Sequence, residues 1–292
     1  MKIDRRSCLL SLAAGGAAGL LGASPRAALP QEAAAKAAAA ARFVRFEKNG
    51  RAAYGAIHEK EEKVRELRAP PFESRDETGA VHDLKGLKLL FPCEPSKILA
   101  MAGNYKSHLQ DQTPPKNPEA FFKPPSALLE NGGTIVLPRG SADVHYEGEL
   151  VVVIGKKASR VSRADAPKHI FGYTCGNDVS ARDWQKNDRQ WWRAKGCDTF
   201  AALGPWIAAS PGFNAGDVLL TTKLNGKEVQ RARTSELIYD AAAIVSFLSD
   251  HVTLLPGDLI YTGTPGTTSA MKPGDVVEVE IEGIGVLRNP VG

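Results

Sequence analysis

The sequence predicts an α+β fold that is mainly β, with a small β-rich N-terminal domain ahead of a larger one. Beyond Met101, short apolar runs of strand length recur between Gly and Pro turns, at 134–137, 150–154, 219–224, 259–261 and 276–281. Helical stretches are fewer, chiefly 180–194 and 235–251. The strands do not alternate regularly with helices, which argues against a doubly wound sheet.

Composition bounds the function. The 292 residues, 43% hydrophobic, can bury a substantial core. The formal net charge of +4 comes from Lys and Arg interleaved with acids, so no nucleic-acid surface is expected. Cys8, Cys93, Cys175 and Cys197 form no CxxC pair and have no His at zinc-finger spacing. They point to neither a disulfide scaffold nor a structural zinc site.

In chain order, residues 1–30 place Arg5-Arg6 just before a run of Leu, Ala and Gly that ends near Ala23. The run is too short and too Gly-rich for a membrane span and resembles a twin-arginine export signal. Such a signal implies a periplasmic protein with no stable membrane association after export. A start of the chain that merely contains two arginines is the alternative. Residues 31–41, QEAAAKAAAAA, read as an Ala-rich helical spacer. Residues 42–95 form the small N-terminal domain, whose alternating runs are broken by the hairpin signal Asn49-Gly50. Residues 96–292 form the larger domain, with a second hairpin expected at Leu224-Asn225-Gly226-Lys227.

The chemistry-bearing residues begin at Tyr146-Glu147-Gly148-Glu149, which leads into Leu150-Val151-Val152-Val153-Ile154. Residues two apart on a strand share a face, so Glu147 and Glu149 point the same way as Val151 and Val153. The run is apolar on both faces and is expected to be buried on both. Two carboxylates at the lip of a buried strand repel each other and lose hydration, which protons or a cation must relieve. Asn177-Asp178, where another apolar run stops, offers a third acid. On these local grounds the acids fit either a solvated surface or a hard divalent cation, and no Cys or His cluster competes for a softer metal.

Ordered motifs extend this reading: Gly103-Asn104-Tyr105 with His108, Phe121-Phe122-Lys123-Pro124, Tyr146-Glu147-Gly148-Glu149-Leu150, Asn177-Asp178-Val179-Ser180-Ala181-Arg182-Asp183 with Gln185, Lys195 with Asp198-Thr199-Phe200, Gly204-Pro205, Pro256-Gly257-Asp258, and Thr262-Gly263-Thr264-Pro265. In this order the chain after Lys97 resembles the fumarylacetoacetate hydrolase family. The resemblance implies a distorted β-barrel or β-roll core, a homodimer, and Mg²⁺ or Mn²⁺ held by Glu147, Glu149 and Asp178. It implies a 2-oxo or β-diketo acid substrate. Lys195 and Gln185 would face the substrate oxygens, Tyr105 and Arg182 would join its binding, and Thr264 would hydrogen-bond its carboxylate. His108 with Asp111 stands where the family carries a His–Glu pair on a mobile lid, as general base and orienting acid.

Besides Asp111, which stands in place of the family's Glu, two sites depart from the family pattern. Gly103 replaces a larger residue, and Gly266-Thr267-Thr268-Ser269 replaces a Gly-Val-Gly-like stretch. The first functional expectation is metal-dependent hydrolysis of a C–C bond in an acylpyruvate-like or β-diketo acid. Decarboxylation, hydration or isomerisation of a related 2-oxo acid is the alternative within the family. A non-catalytic periplasmic metal- or ligand-binding protein is the alternative from another class.

Overall fold

A computed structural model describes residues 41–58 and 62–292; the expected export signal and all of the spacer before Ala41 lie outside the described residues. Of five N-terminal strands, β1 (Arg42–Lys48), β2 (Arg51–His58), β3 (Lys63–Leu67), β4 (Glu77–Asp83) and β5 (Lys88–Leu90), the first three form where alternating apolar residues were expected. Asn49 and Gly50, with φ of 51° and 73°, make the tight β1–β2 turn that Asn-Gly favours. The region does not stand apart. Through Arg42↔Ala208 and Phe43↔Ile207, β1 pairs antiparallel with β13 (Ala201–Ala209).

The larger region supplies β6 (Ile98–Ala102), α1 (Lys106–Leu109), β7 (Glu119–Lys123), β8 (Leu128–Leu129), β9 (Val144–His145), β10 (Gly148–Ile154), β11 (Ile170–Asp178), β12 (Ser180–Ala181), α2 (Arg182–Asn187) and α3 (Trp192–Gly196) before β13. After it come β14 (Leu219–Leu224), β15 (Lys227–Arg233), α4 (Ala241–His251), β16 (Leu259–Tyr261), β17 (Val276–Ile281) and β18 (Gly285–Pro290). One twelve-stranded sheet runs β4-β3-β2-β1-β13-β11-β10-β16-β6-β7, with β5 on β1 and β8 on β13. A four-stranded sheet, β15-β14-β17-β18, closes a distorted β-roll, and β9 pairs β12 separately.

Strand β10 is buried along its whole length, as its two-sided apolar run demands. Leu150, Val152 and Ile154 enter the core shared with Leu220, Val277 and Val279 of the small sheet. Val151 and Val153 enter a second core with Leu203, Ile207, Tyr261 and Phe43. Glu149 shares the parity of this second set, so the acids continue an apolar face to its end.

Three expectations are corrected. The run 134–137 is not a strand: only Ile135 bridges, to Val291. The helix expected over 180–194 breaks into α2 and α3. Asp188 leaves α2 with extended backbone and its carboxylate takes Arg193 Nε and Nη2 at 2.5 and 2.7 Å, a pairing that holds the corner. The helix expected from Ser235 starts at Ala241, because Asp240 caps it by accepting the Ala243 N–H at 2.8 Å.

Candidate metal centre and active site

The site assembles where β10 and β11 run side by side. Gly148 pairs with Asn177 and Glu149 with Gly176. Glu147 lies in the two-residue break between β9 and β10, where its N–H donates to Asn177 Oδ1 at 2.8 Å and its carbonyl accepts the Asp178 N–H at 2.9 Å. The close pairing leaves no room at Gly176, where a Cβ would lie 2.5 Å from the Tyr261 ring. Glu147, Glu149 and Asp178 thus converge, each offering an oxygen within 4.8 Å of the others, and all are buried.

The cations around them are distributed unevenly. Lys195 Nζ donates to Glu147 Oε2 at 2.5 Å and to Asp178 Oδ2 at 2.9 Å. Lys123 Nζ donates to Asp178 Oδ1 at 2.5 Å and also to the Lys195 carbonyl. Arg182 Nη2 donates to Glu147 Oε1. Among the described residues Glu149 receives only the Gly263 N–H, at 2.6 Å.

The protonation equilibria follow. Burial works against ionised Glu147, but Lys195 and Arg182 outweigh it and hold its carboxyl far below the usual range. Burial, with Asp178 and Glu147 nearby, pushes Glu149 well above that range. Burial lowers Lys123, whereas at Lys195 burial is outweighed by Asp178 and Glu147 and the ammonium is held more firmly. Tyr105 Oη is buried and has no partner among the described residues; burial and the Glu149 charge keep it un-ionised. An all-oxygen donor set in which one acid has no cation bonded to it among the described residues fits a hard divalent ion.

These groups open into a cavity of about 440 Å³, lined by Glu147, Glu149, Arg182, Gln185, Lys195, Thr264 and His108. Gln185 Oε1 accepts from Arg182 Nη1 at 2.7 Å. Thr264 spends its only proton on the Gly148 carbonyl at 2.9 Å while accepting from Gln230 Nε2 at 2.8 Å. Its hydroxyl therefore reaches no further acceptor without releasing Gly148. Tyr105 and Asp178 are buried and do not line the cavity.

His108 and Asp111 do not pair. Helix α1 ends at Leu109, Gln110 takes φ 54°, and Asp111 is left exposed, without an ion pair or hydrogen bond among the described residues. The spacing of three would have brought them together only on a continuing helical turn. His108 Nδ1 instead lies 2.6 Å from the Gly266 carbonyl oxygen.

Sequence reasoning singled out neither Lys123 nor Gln230 as site residues. Lys123 sits in the Phe-Phe-Lys-Pro motif, and full burial of a lysine marks it once the fold is known. Gln230 gave no local signal; β15 carries it to Gly148, whose N–H it accepts at 3.1 Å. A third missed feature is a directional chain. Asp143 can only accept, so His145 Nε2–H donates to it at 2.7 Å, leaving Nδ1 of the neutral ring to accept the Thr268 hydroxyl at 2.8 Å. Thr268 Oγ1 in turn accepts Arg182 Nη2 at 3.0 Å. The unusual loop after Pro265 thereby steadies the arginine on Glu147.

The model of the Fumarylacetoacetate (FAA) hydrolase C-terminal family matches residues 97–292. The chain belongs to the fumarylacetoacetate hydrolase family. A second model, Rv2993c-like, N-terminal, matches residues 41–92. Protein Rv2993c of Mycobacterium tuberculosis is 46% identical over 231 residues, 78% of this chain and 87% of that protein. Among solved structures, 2-hydroxyhepta-2,4-diene-1,7-dioate isomerase from Mycobacterium marinum superposes with a TM-score of 0.80 at 42% identity, covering 86% of this chain and 98% of that one. Fumarylpyruvate hydrolase from Pseudomonas aeruginosa, in complex with Mn²⁺ and pyruvate, gives a TM-score of 0.64 at 30% identity, covering 69% and 90%. Fumarylacetoacetate hydrolase family members act on oxo acids, as isomerases and hydrolases among other activities.

Proposed function

We propose that this chain is a divalent-metal-dependent enzyme of 2-oxo acids that moves a proton at the carbon beside the oxo group. The observation that carries the reading is the buried Glu147, Glu149 and Asp178 cluster with Lys195, Arg182 and His108 at one cavity. The three carboxylates would hold Mg²⁺ or Mn²⁺, which when bound supplies Lewis-acid polarisation of the oxo group. Lys195 and Arg182 carry fixed positive charge toward the same end of the cavity, where they stabilise negative charge as it develops on substrate oxygen. A carbonyl cannot donate, so His108 Nδ1 bears the proton toward Gly266, and Nε2 of the neutral ring keeps a lone pair to accept one.

Hydrolysis of a C–C bond in an acylpyruvate-like acid is the second reading, supported by the likeness to the Pseudomonas hydrolase. It asks the same imidazole to deprotonate water, a harder task for a ring oriented by a carbonyl instead of a carboxylate. The test is proton NMR of oxaloacetate, acetylpyruvate and fumarylpyruvate in D₂O with the protein, with and without Mg²⁺ or Mn²⁺. Metal-dependent exchange at the carbon beside the oxo group, outrunning cleavage, is expected; His108→Ala should slow it about a hundredfold while metal affinity holds. Cleavage as fast as exchange selects the hydrolase, and neither reaction with any of the acids leaves the binding-protein alternative.

We also propose export through the twin-arginine route, on the strength of Arg5-Arg6 and the apolar run behind them. Replacing both arginines by lysine should retain the precursor in the cytoplasm, and normal delivery would exclude that route. A homodimer is proposed with it, to be read from the mass in solution.

A further inference from the structure

The cavity is chemically two-ended. Its cations crowd one end, where Lys195 is bonded to Glu147 and Asp178 and Arg182 is bonded to Glu147; the His108 ring also lines the cavity, its Nδ1 turned to Gly266. The Phe121 ring leads away from that end, with Lys195 Nζ 5.1 Å from its centroid on one side and the Trp191 ring packed edge-on at 5.6 Å on another. Met101, Leu109 and Pro115 continue the apolar lining. The acidic side chain that this lane adds is Glu119, which β6–β7 register places opposite Ala102. It is exposed and has no ion pair among the described residues.

Gly103 completes the lane. It holds φ 57°, and a Cβ there would meet Leu109 Cδ2 at 2.9 Å, so a longer residue, cationic or otherwise, displaces Leu109. A second hollow of about 380 Å³ shares Ala102, Glu119, Phe121 and Trp191, and the exposed Arg189 lines that hollow but not the first.

We infer that the substrate is a 2-oxo acid with a single carboxylate, whose uncharged aromatic or branched tail lies along Phe121, Trp191 and Leu109. This rests on the 2-oxo acid reading and adds the chemistry of the far end. Among the described residues lining this cavity, a second carboxylate there would find no cation beyond Lys195, whose ammonium is already bonded to Glu147 and Asp178. It would lose hydration against the rings and face the Glu119 carboxylate. An aromatic tail would gain edge-on packing and buried apolar area instead.

Calorimetry on the Mn²⁺-loaded protein separates the cases without turnover. Phenylpyruvate is expected to bind at least about tenfold more tightly than 2-oxoglutarate, which differs in carrying a carboxylate at its tail. Glu119→Lys should shrink or reverse that ratio, and Arg189→Ala should leave it unchanged. Equal or tighter binding of 2-oxoglutarate, a ratio that ignores Glu119→Lys, or one that moves with Arg189→Ala overturns the inference while pyruvate binding preserves the 2-oxo acid reading. Absence of metal-dependent pyruvate binding removes both.

Discussion

Among the described residues, Glu149 alone of the three acids has no cation at hydrogen-bond range, and the difference is measurable. Its folded carboxyl titrates above its unfolded value. In metal-free protein its contribution to stability is therefore fully present below the ordinary glutamate range and is lost as pH rises through the raised folded value. Glu147 runs the other way: its pKa is lowered, and its contribution is lost as pH falls. Metal-free protein should consequently melt at lower temperature as pH climbs above the ordinary glutamate range, a trend Glu149→Gln should flatten. A bound metal would require ionised Glu149, so metal titrations in buffers of different ionisation enthalpy should report proton release that Glu149→Gln reduces. At Thr268 the expectation is kinetic. Thr268→Val removes the acceptor for Arg182 and costs on the order of 1.5 kcal/mol, about tenfold in kcat/KM, while Thr268→Ser restores it.

At the scale of elements, the site depends on breaks as much as on strands. The gap between β9 and β10 turns Glu147 onto Asp178, and the corner between α2 and α3 sends Arg182 and Lys195 into one cavity from separate helices. Asp258 secures another junction. Fully buried, it accepts from Ser96 N, Ser96 Oγ, Lys97 N, Lys97 Nζ and Leu255 N at 2.5–3.1 Å, tying the start of the larger region to the turn before β16. Asp258→Ala leaves those donors unpaired and should lower stability by about 3 kcal/mol, read from urea unfolding. Both Asn-Gly hairpins were legible locally, and Asn225 and Gly226, with φ of 53° and 78°, turn β14 into β15 as expected. The broken helix was not legible, because its corner is set by the Asp188–Arg193 pair.

At the scale of the molecule, the N-terminal strands share the core of the roll. Phe43 packs on Phe171 with ring centroids 5.3 Å apart and joins Leu203 and Ile207. A chain starting at Ser96 uncovers that apolar face and the free edge of β13, and is expected to aggregate or to lose cooperative melting in circular dichroism. A soluble, cooperatively folding truncation would show that the two regions are energetically separate.

The amino-acid sequence by itself determined most of the strand runs, the hairpins, the shared face of Glu149 and Val151, and the family. All of these reside in short-range periodicity, turn chemistry and ordered motifs. Only the tertiary structure decided which cations meet which acid, that His108 turns to Gly266 and not to Asp111, and that Thr268 steadies Arg182. The partners in these contacts stand 17 to 158 residues apart along the chain, from Lys195 and Asp178 to His108 and Gly266. Strand order and the breaks between elements bring them together, and neither leaves a mark in any local window of sequence.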